Sequence, residues 1–87
     1  MDRLMIENKK IFITGGAGFL GKNIISTYYD KNEITVFSRD EAKHYYLSKM
    51  YPKVKFIIGD IRNQTLLTRS CVGHNIGIFA ASLKQID

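Results

Sequence analysis

A parallel α/β sheet, with strands and helices alternating along the chain, is the architecture this sequence predicts. Two observations carry the prediction. The run Ile11-Phe12-Ile13-Thr14-Gly15-Gly16-Ala17-Gly18-Phe19-Leu20-Gly21 places an apolar strand, a glycine turn and a helix start in immediate succession. Further apolar runs recur at residues 33–37, 54–58 and 75–80, each separated from the last by a segment with helical spacing.

The elements follow in order. Residues 10–14 form the first strand, and its continuous Ile11-Phe12-Ile13 core suits a sheet covered on both faces. Residues 17–29 form the first helix, with Leu20, Ile24, Ile25 and Tyr28 turned toward the sheet at three- and four-residue spacing, and Asp30-Lys31-Asn32 closes it. Residues 33–37 give the second strand, and residues 40–50 a second helix whose Ala42, Tyr45, Tyr46 and Lys49 are too mixed to rank its faces. Pro52 lies in the turn before the third strand, residues 54–58. Gly59-Asp60-Ile61-Arg62-Asn63 ends that strand and caps a third helix, marked by Leu66, Leu67 and Cys71 and stopped by Gly73. Residues 75–80 form the fourth strand. The pattern predicts about four parallel strands in the order 3-2-1-4 with flanking helices, the N-terminal half of a Rossmann fold, and a ligand crevice beyond the carboxyl ends of the strands and between strands 1 and 4.

At 87 residues the chain is one partial domain spanning residues 1–87, too short for a six-stranded sheet and a substrate region together. A hydrophobic content of 45%, with five Phe and five Tyr, supplies a core and argues against disorder. An open edge on the fourth strand predicts marginal stability for the free chain. Thirteen Lys and Arg against eight Asp and Glu favour anionic ligands, but the basic residues are scattered without an aromatic stripe, so no nucleic-acid surface is expected. Cys71 stands alone, which excludes an intramolecular disulfide, and no metal-site spacing is present. No run approaches a membrane span, and a cytoplasmic location without membrane contact is expected.

The glycines satisfy both GxxGxxG and GxGxxG spacing, so a dinucleotide cofactor is the first functional expectation. Gly15 would permit the tight turn, Gly16 and Gly18 would bring backbone against the pyrophosphate, and Gly21 would let the helix pack on the sheet. Thr14 would steady the turn through its hydroxyl, with Phe19 and Leu20 facing the cofactor or the core. At the end of the second strand an acidic residue would select NAD, whereas this chain has Ser38-Arg39 with Lys43 one helical turn on, a set suited to a 2′-phosphate. NADP is therefore favoured, with NAD the alternative; Asp40 would either cap the helix or take the ribose. Asp60 and Ile61 follow the third strand, where an adenine would lie, although Asp60 serves equally as a helix cap. Ala80, Ala81 and Ser82 leave room for the inner cofactor, and Lys84 reaches a phosphate or stays on the surface.

Proton-transfer chemistry is missing from the chain. Tyr45 and Lys49 form a Tyr-x-x-x-Lys pair, but their helix lies between strands two and three, remote from a nicotinamide, and they are read as a decoy. His44 is expected to be exposed and His74 to sit in the turn after Gly73.

With these positions in hand the sequence resembles the extended short-chain dehydrogenase/reductase family. Within it the chain looks most like the UDP-N-acetylglucosamine 4,6-dehydratases of bacterial polysaccharide biosynthesis. The segments that carry the likeness are Ile13 to Lys22, Val36-Phe37-Ser38-Arg39-Asp40-Glu41, Phe56-Ile57-Ile58-Gly59-Asp60-Ile61-Arg62 and Phe79-Ala80-Ala81-Ser82-Leu83-Lys84-Gln85. The resemblance implies pyrophosphate contacts from Gly15, Gly18, Phe19, Leu20 and Gly21 and adenosine-phosphate contacts from Ser38, Arg39 and Lys43. It implies adenine contacts from Asp60 and Ile61, and inner-cofactor contacts from Ala80, Ala81 and Lys84. It further implies an enzyme that takes hydride from C4 of a UDP-sugar, eliminates water across C5 and C6 and returns hydride to C6. A sibling epimerase or reductase, or a noncatalytic nucleotide-binding module, is the alternative. The catalytic tyrosine, its lysine, the sugar-binding domain and any homo-oligomer contacts of the parent enzyme would lie beyond residue 87, so no activity is expected of the chain alone.

Overall fold

The structure, a computed structural model, describes residues 6–15 and 19–79, the side chains of residues 19 and 20 excepted. Its elements are β1 (Lys10–Thr14), α1 (Phe19–Tyr28), β2 (Glu33–Ser38), α2 (Glu41–Met50), β3 (Lys55–Ile58), α3 (Gln64–Cys71) and β4 (Ile76–Phe79). All pairings are parallel and the sheet order is β3-β2-β1-β4, as the strand and helix alternation predicts. Among the described residues no helix is long and apolar enough to cross a membrane.

Burial explains the composition of the strands. β1 and β2 occupy the middle of the sheet, and Ile11 to Thr14 and Ile34 to Phe37 are buried without a break. The outer strands β3 and β4 are only half covered, and Ile58 and Phe79 are about half exposed. Alternation along each strand sends successive side chains to opposite faces. One face gathers Ile11, Ile13, Ile34 and Val36 with Ile25 of α1 and Val54 into the main core, against which Tyr28, Tyr51 and Phe56 also pack. The other face carries Phe12, whose ring lies 5.8 Å from Phe37 and 5.2 Å from His74.

Asparagines and caps set where the elements begin and end. Residues 29–31 form a tight 3-10 turn rather than the last turn of α1. The reason is Asn32, whose Nδ2 donates to the Tyr28 carbonyl at 2.9 Å and to the Ile6 carbonyl at 3.0 Å, while its Oδ1 accepts from Lys9 N at 3.0 Å. Asn75 Oδ1 accepts from Lys10 N at 2.8 Å and ties the entry of β4 to that of β1. Asp40 caps α2 by accepting from Lys43 N at 3.1 Å, and Asn63 caps α3 by accepting from Leu66 N at the same distance. Asp40 thus takes the capping role of its two expected alternatives.

The two histidines are structural in different ways. His74 does lie in the turn after Gly73. Its Nδ1 donates to the Cys71 carbonyl at 3.1 Å, leaving Nε2 to accept from the Thr35 hydroxyl at 3.0 Å. His44 corrects the expectation of exposure: it is 5% exposed, with its ring centroid 4.9 Å from that of Phe56. Its burial leaves Tyr45 and Tyr46 on the solvent side of α2, each more than half exposed.

Candidate functional site

β1, β2 and β3 end side by side, and their carboxyl ends frame a cavity of about 390 Å³. Gly15, Phe37, Ser38, Arg39, Gly59, Asp60, Ile61 and Arg62 line it. The location is where open α/β sheets bind ligands, because strand ends leave backbone groups and loop side chains facing one crevice.

Gly15 turns the chain out of β1 with φ of 72°, in the left-handed region that favours glycine. Its N–H donates to the Phe37 carbonyl at 3.0 Å and prolongs the ladder, so Gly15 contributes shape to the cavity while its amide is already engaged. Gly59 does the same on the other side, donating to the Ser38 carbonyl at 3.0 Å. A Cβ at Gly59 would sit 2.6 Å from Phe37 Cζ, so the absence of a side chain lets the β3 end close against the cavity floor. Thr14 Oγ1 is buried without a hydrogen-bond partner among the described residues, and residues 16–18 of the turn it was expected to steady lie outside them.

Charge at the site centres on Asp60. Arg62 grips its carboxylate, with Nη2 at 2.7 Å and Nε at 3.1 Å, and the Arg62 backbone N–H adds a bond of 2.9 Å. Arg39 Nη1 reaches the same carboxylate at 3.5 Å. The Arg62 hydrogen bonds hold the Asp60 carboxyl far below the usual carboxylate range, and Asp60 in turn raises the Arg62 guanidinium. Asp60 therefore acts here as an anchor for two cations at the mouth of the cavity, its lone pairs largely filled by guanidinium N–H groups. The first turn of α3 is capped by Asn63 rather than by Asp60.

The expected phosphate trio is brought together in part. Ser38 and Arg39 line the cavity, whereas Lys43 is turned to Asp40, with Nζ 3.9 Å from Oδ2, and does not line it. Ile61 is half-buried in the cavity wall, and Gly21 is buried in the first turn of α1. Phe19 and Leu20 open α1 in the backbone. Gly16, Gly18, Ala80, Ala81, Ser82 and Lys84 lie outside the described residues.

Three contributors escaped sequence reasoning. Arg62 was legible in principle, because an Asp-x-Arg spacing after a strand lets the arginine fold back on the turn carboxylate. Gly59 and Phe37 form a contact that no local pattern announces. His44 meets Ser38, with Nε2 2.7 Å from Oγ, across a strand-to-helix turn, a pairing invisible to helical periodicity.

Tyr45 and Lys49 remain away from the cavity on the exposed side of α2. Their contact is a cation-π one, with Nζ 4.8 Å from the ring centroid, and not that of a proton-transfer pair beside a cofactor.

A parallel sheet in this order, with a crevice at the carboxyl strand ends and a glycine-shaped first turn, defines a Rossmann-type fold of the kind that binds NAD(P). The chain belongs to the 3-beta hydroxysteroid dehydrogenase/isomerase family, whose profile matches residues 12–87. It is 38% identical over 90 residues to the UDP-glucose 4-epimerase of Rickettsia rickettsii (strain Sheila Smith), covering 94% of this chain and 26% of that protein. It is 32% identical over 87 residues to the UDP-N-acetylglucosamine 4,6-dehydratase (inverting) of Campylobacter jejuni subsp. jejuni, with the same coverage of both. The chain thus spans about a quarter of the length of the curated relatives it matches. Among solved structures, Pen from Bacillus thuringiensis superposes with a TM-score of 0.78 at 28% identity, over 85% of this chain and 24% of that one. Saccharopine dehydrogenase (L-Glu forming) from Saccharomyces cerevisiae superposes with a TM-score of 0.70 at 24% identity, over 83% and 16%, and shares the fold. The expected kinship with nucleotide-sugar modifying enzymes is met at that level, by epimerases and a dehydratase alike.

Proposed function

We propose that this chain forms the adenosine-binding part of an NADP-dependent enzyme acting on a UDP-sugar, with 4-epimerisation as the reaction. The observation that carries the proposal is the cavity at the ends of β1, β2 and β3, where the Ser38 hydroxyl and the Arg39 and Arg62 guanidinium groups gather around Asp60, and where the lining residues that follow β2 are Ser38 and Arg39 rather than an acid. Its chemistry suits the 2′-phosphate side of NADP: Ser38 offers a hydroxyl and Arg39 a fork of N–H donors. Arg62 and Asp60 would border the adenine, with Ile61 against the ring. Gly15 would leave room for the diphosphate beside the end of β1. The chemistry supplied by such a cofactor when bound is acceptance and return of hydride at a sugar carbon. The residues described here bind and orient; the proton-moving groups belong to other parts of the enzyme.

Epimerisation is preferred over dehydration because the epimerase relatives are the more similar, at 38% identity against 32%. The second reading, a 4,6-dehydratase, is favoured by the Ser38-Arg39-Asp40-Glu41 block. Mass analysis separates the two. The protein carrying this chain, given UDP-glucose and UDP-N-acetylglucosamine, should yield a chromatographically distinct product of unchanged mass; loss of one water would favour dehydration.

The cofactor assignment is tested by calorimetric titration of NADP and NAD into wild type and Arg39→Ala. Loss of a charge-assisted phosphate contact should weaken NADP about tenfold or more and leave NAD little affected. Equal affinity for both nucleotides in both proteins would remove the proposed clamp.

A further inference from the structure

The hydrogen bonds around Ser38 are not explained by the cavity residues alone. His44 is buried under the start of α2, and its Nε2 lies 2.7 Å from Ser38 Oγ. Nδ1 of the same ring is buried with no partner among the described residues. Ser38 Oγ also accepts from the Asp40 N–H at 3.2 Å.

Only two neutral arrangements exist, and they differ in cost. With the proton on Nδ1, a buried N–H donor would be orphaned, and the serine hydroxyl would spend its own proton on Nε2. With the proton on Nε2, the orphan is a bare lone pair, and the ring donates to the serine. Unpaired buried donors are the rarer kind, so the Nε2–H tautomer is preferred. Burial also disfavours the charged ring, which lowers the His44 pKa against the opposing pull of Asp40 and Glu41.

The consequence falls on Ser38. Its oxygen receives two N–H donors, one from His44 and one from Asp40, which fills both lone pairs. What it has left is one O–H proton, and Ser38 lines the cavity beside Arg39. We propose that His44 is a positioning residue that makes Ser38 an obligatory hydrogen-bond donor, so that the cavity selects a phosphate ester over a free ribose hydroxyl at that point. A phosphate oxygen accepts the proton with full charge assistance. A ribose hydroxyl at the same place would keep a proton of its own that Ser38 has no lone pair to receive. The inference rests on the cavity holding the adenosine end of a dinucleotide, and it names the group that sets the selectivity.

NADP and NAD are titrated calorimetrically into wild type, Ser38→Ala, His44→Phe and His44→Gln, each checked for native circular dichroism. Ser38→Ala and His44→Phe should each lower the NADP-over-NAD affinity ratio by about tenfold. His44→Gln, whose side-chain N–H can occupy the place of Nε2–H, should recover most of the ratio, which a merely space-filling role for His44 would not require. If wild type binds NADP but His44→Phe keeps the wild-type ratio, the positioning role is overturned while the cofactor reading stands. If wild type binds neither nucleotide, the cofactor reading fails and the selectivity with it. Nitrogen NMR of the free chain supplies a ligand-independent check: the His44 ring should carry its proton on Nε2, and a proton on Nδ1 would overturn the inference.

Discussion

Replacing Gly59 by alanine adds one methyl group at the most crowded point of the site. The new Cβ would lie 2.6 Å from Phe37 Cζ, 2.8 Å from Phe37 Cε2 and 2.9 Å from Leu66 Cδ2, all closer than real Cβ contacts. Leu66 is half-buried and its terminal methyl can swing away. The Phe37 ring cannot do so freely, because it is fully buried and packs on Phe12. It must retreat by roughly an ångström to regain ordinary contact, which disturbs its packing on Phe12. Overpacking of this kind costs about 1–3 kcal/mol. Alanine offsets about 0.4–1 kcal/mol by restricting the unfolded chain, since Gly59 does not need a left-handed backbone. A net loss of about 1–2 kcal/mol follows, which for a domain of this size lowers Tm by about 4–16 °C. Thermal melts followed by circular dichroism measure it, with Gly77→Ala as the control. At Gly77 the nearest atoms to a new Cβ are those of Phe79 at 3.5 Å, ordinary contact, so that variant should melt within a few degrees of wild type. A Gly59→Ala chain melting at or above the wild-type temperature would refute the packing argument.

Other outcomes follow from the same geometry. Asn32→Ala removes three hydrogen bonds that join the end of α1, residue 6 and the entry to β1, and should destabilise the chain by about 1–3 kcal/mol in urea titrations, with an unchanged slope. Burial of His44 makes stability pH-dependent. Its folded pKa is lowered from 6.5, so the unfolded chain binds the extra proton, and its contribution is complete above about pH 6.5 and declines as pH falls below it. The slope from this one group is at most about 1.4 kcal/mol per pH unit. Wild type should therefore lose more stability than His44→Gln between pH 7.5 and pH 5.5 (roughly the range over which a histidine titrates), measured by urea unfolding. Asp60, whose carboxyl is lowered from 3.8, adds its own loss only as pH falls below about 3.8, outside that window.

Sheet order was legible because it depends on patterns local in sequence, whereas the crevice was expected between strands 1 and 4 and the cavity among the described residues lies at the ends of β1, β2 and β3. Ile11-Phe12-Ile13 and Ile34-Thr35-Val36-Phe37 are buried on both faces, and strands of that kind read as unbroken apolar runs. Element ends were less legible, because side chains at a distance set them. Asn32 ends α1 by capturing the Tyr28 carbonyl, and asparagine at that position reads equally as a plain loop residue. α2 hid its orientation most completely. Only His44 and Leu47 are buried on it, so its aromatic residues point outward and a histidine points inward, against ordinary expectation. Ser38, Arg39, Asp60 and Ile61, singled out from their positions after strands, line one cavity, since every strand of a parallel sheet delivers its carboxyl end to the same edge. Lys43 was drawn in by helical spacing, and its Nζ lies 3.9 Å from the Oδ2 of the capping Asp40 rather than in the cavity lining.

The most direct test of the site is a backbone NMR titration with adenosine 2′,5′-bisphosphate, which carries the adenine and the 2′-phosphate without the nicotinamide. The amides of Gly15, Ser38, Arg39, Gly59 and Asp60 should shift together and saturably, while those of Lys10, Glu33 and Lys55 at the opposite end of the sheet stay in place. Shifts confined to that opposite end, or absent from both, would contradict a cofactor site at the carboxyl ends of the strands.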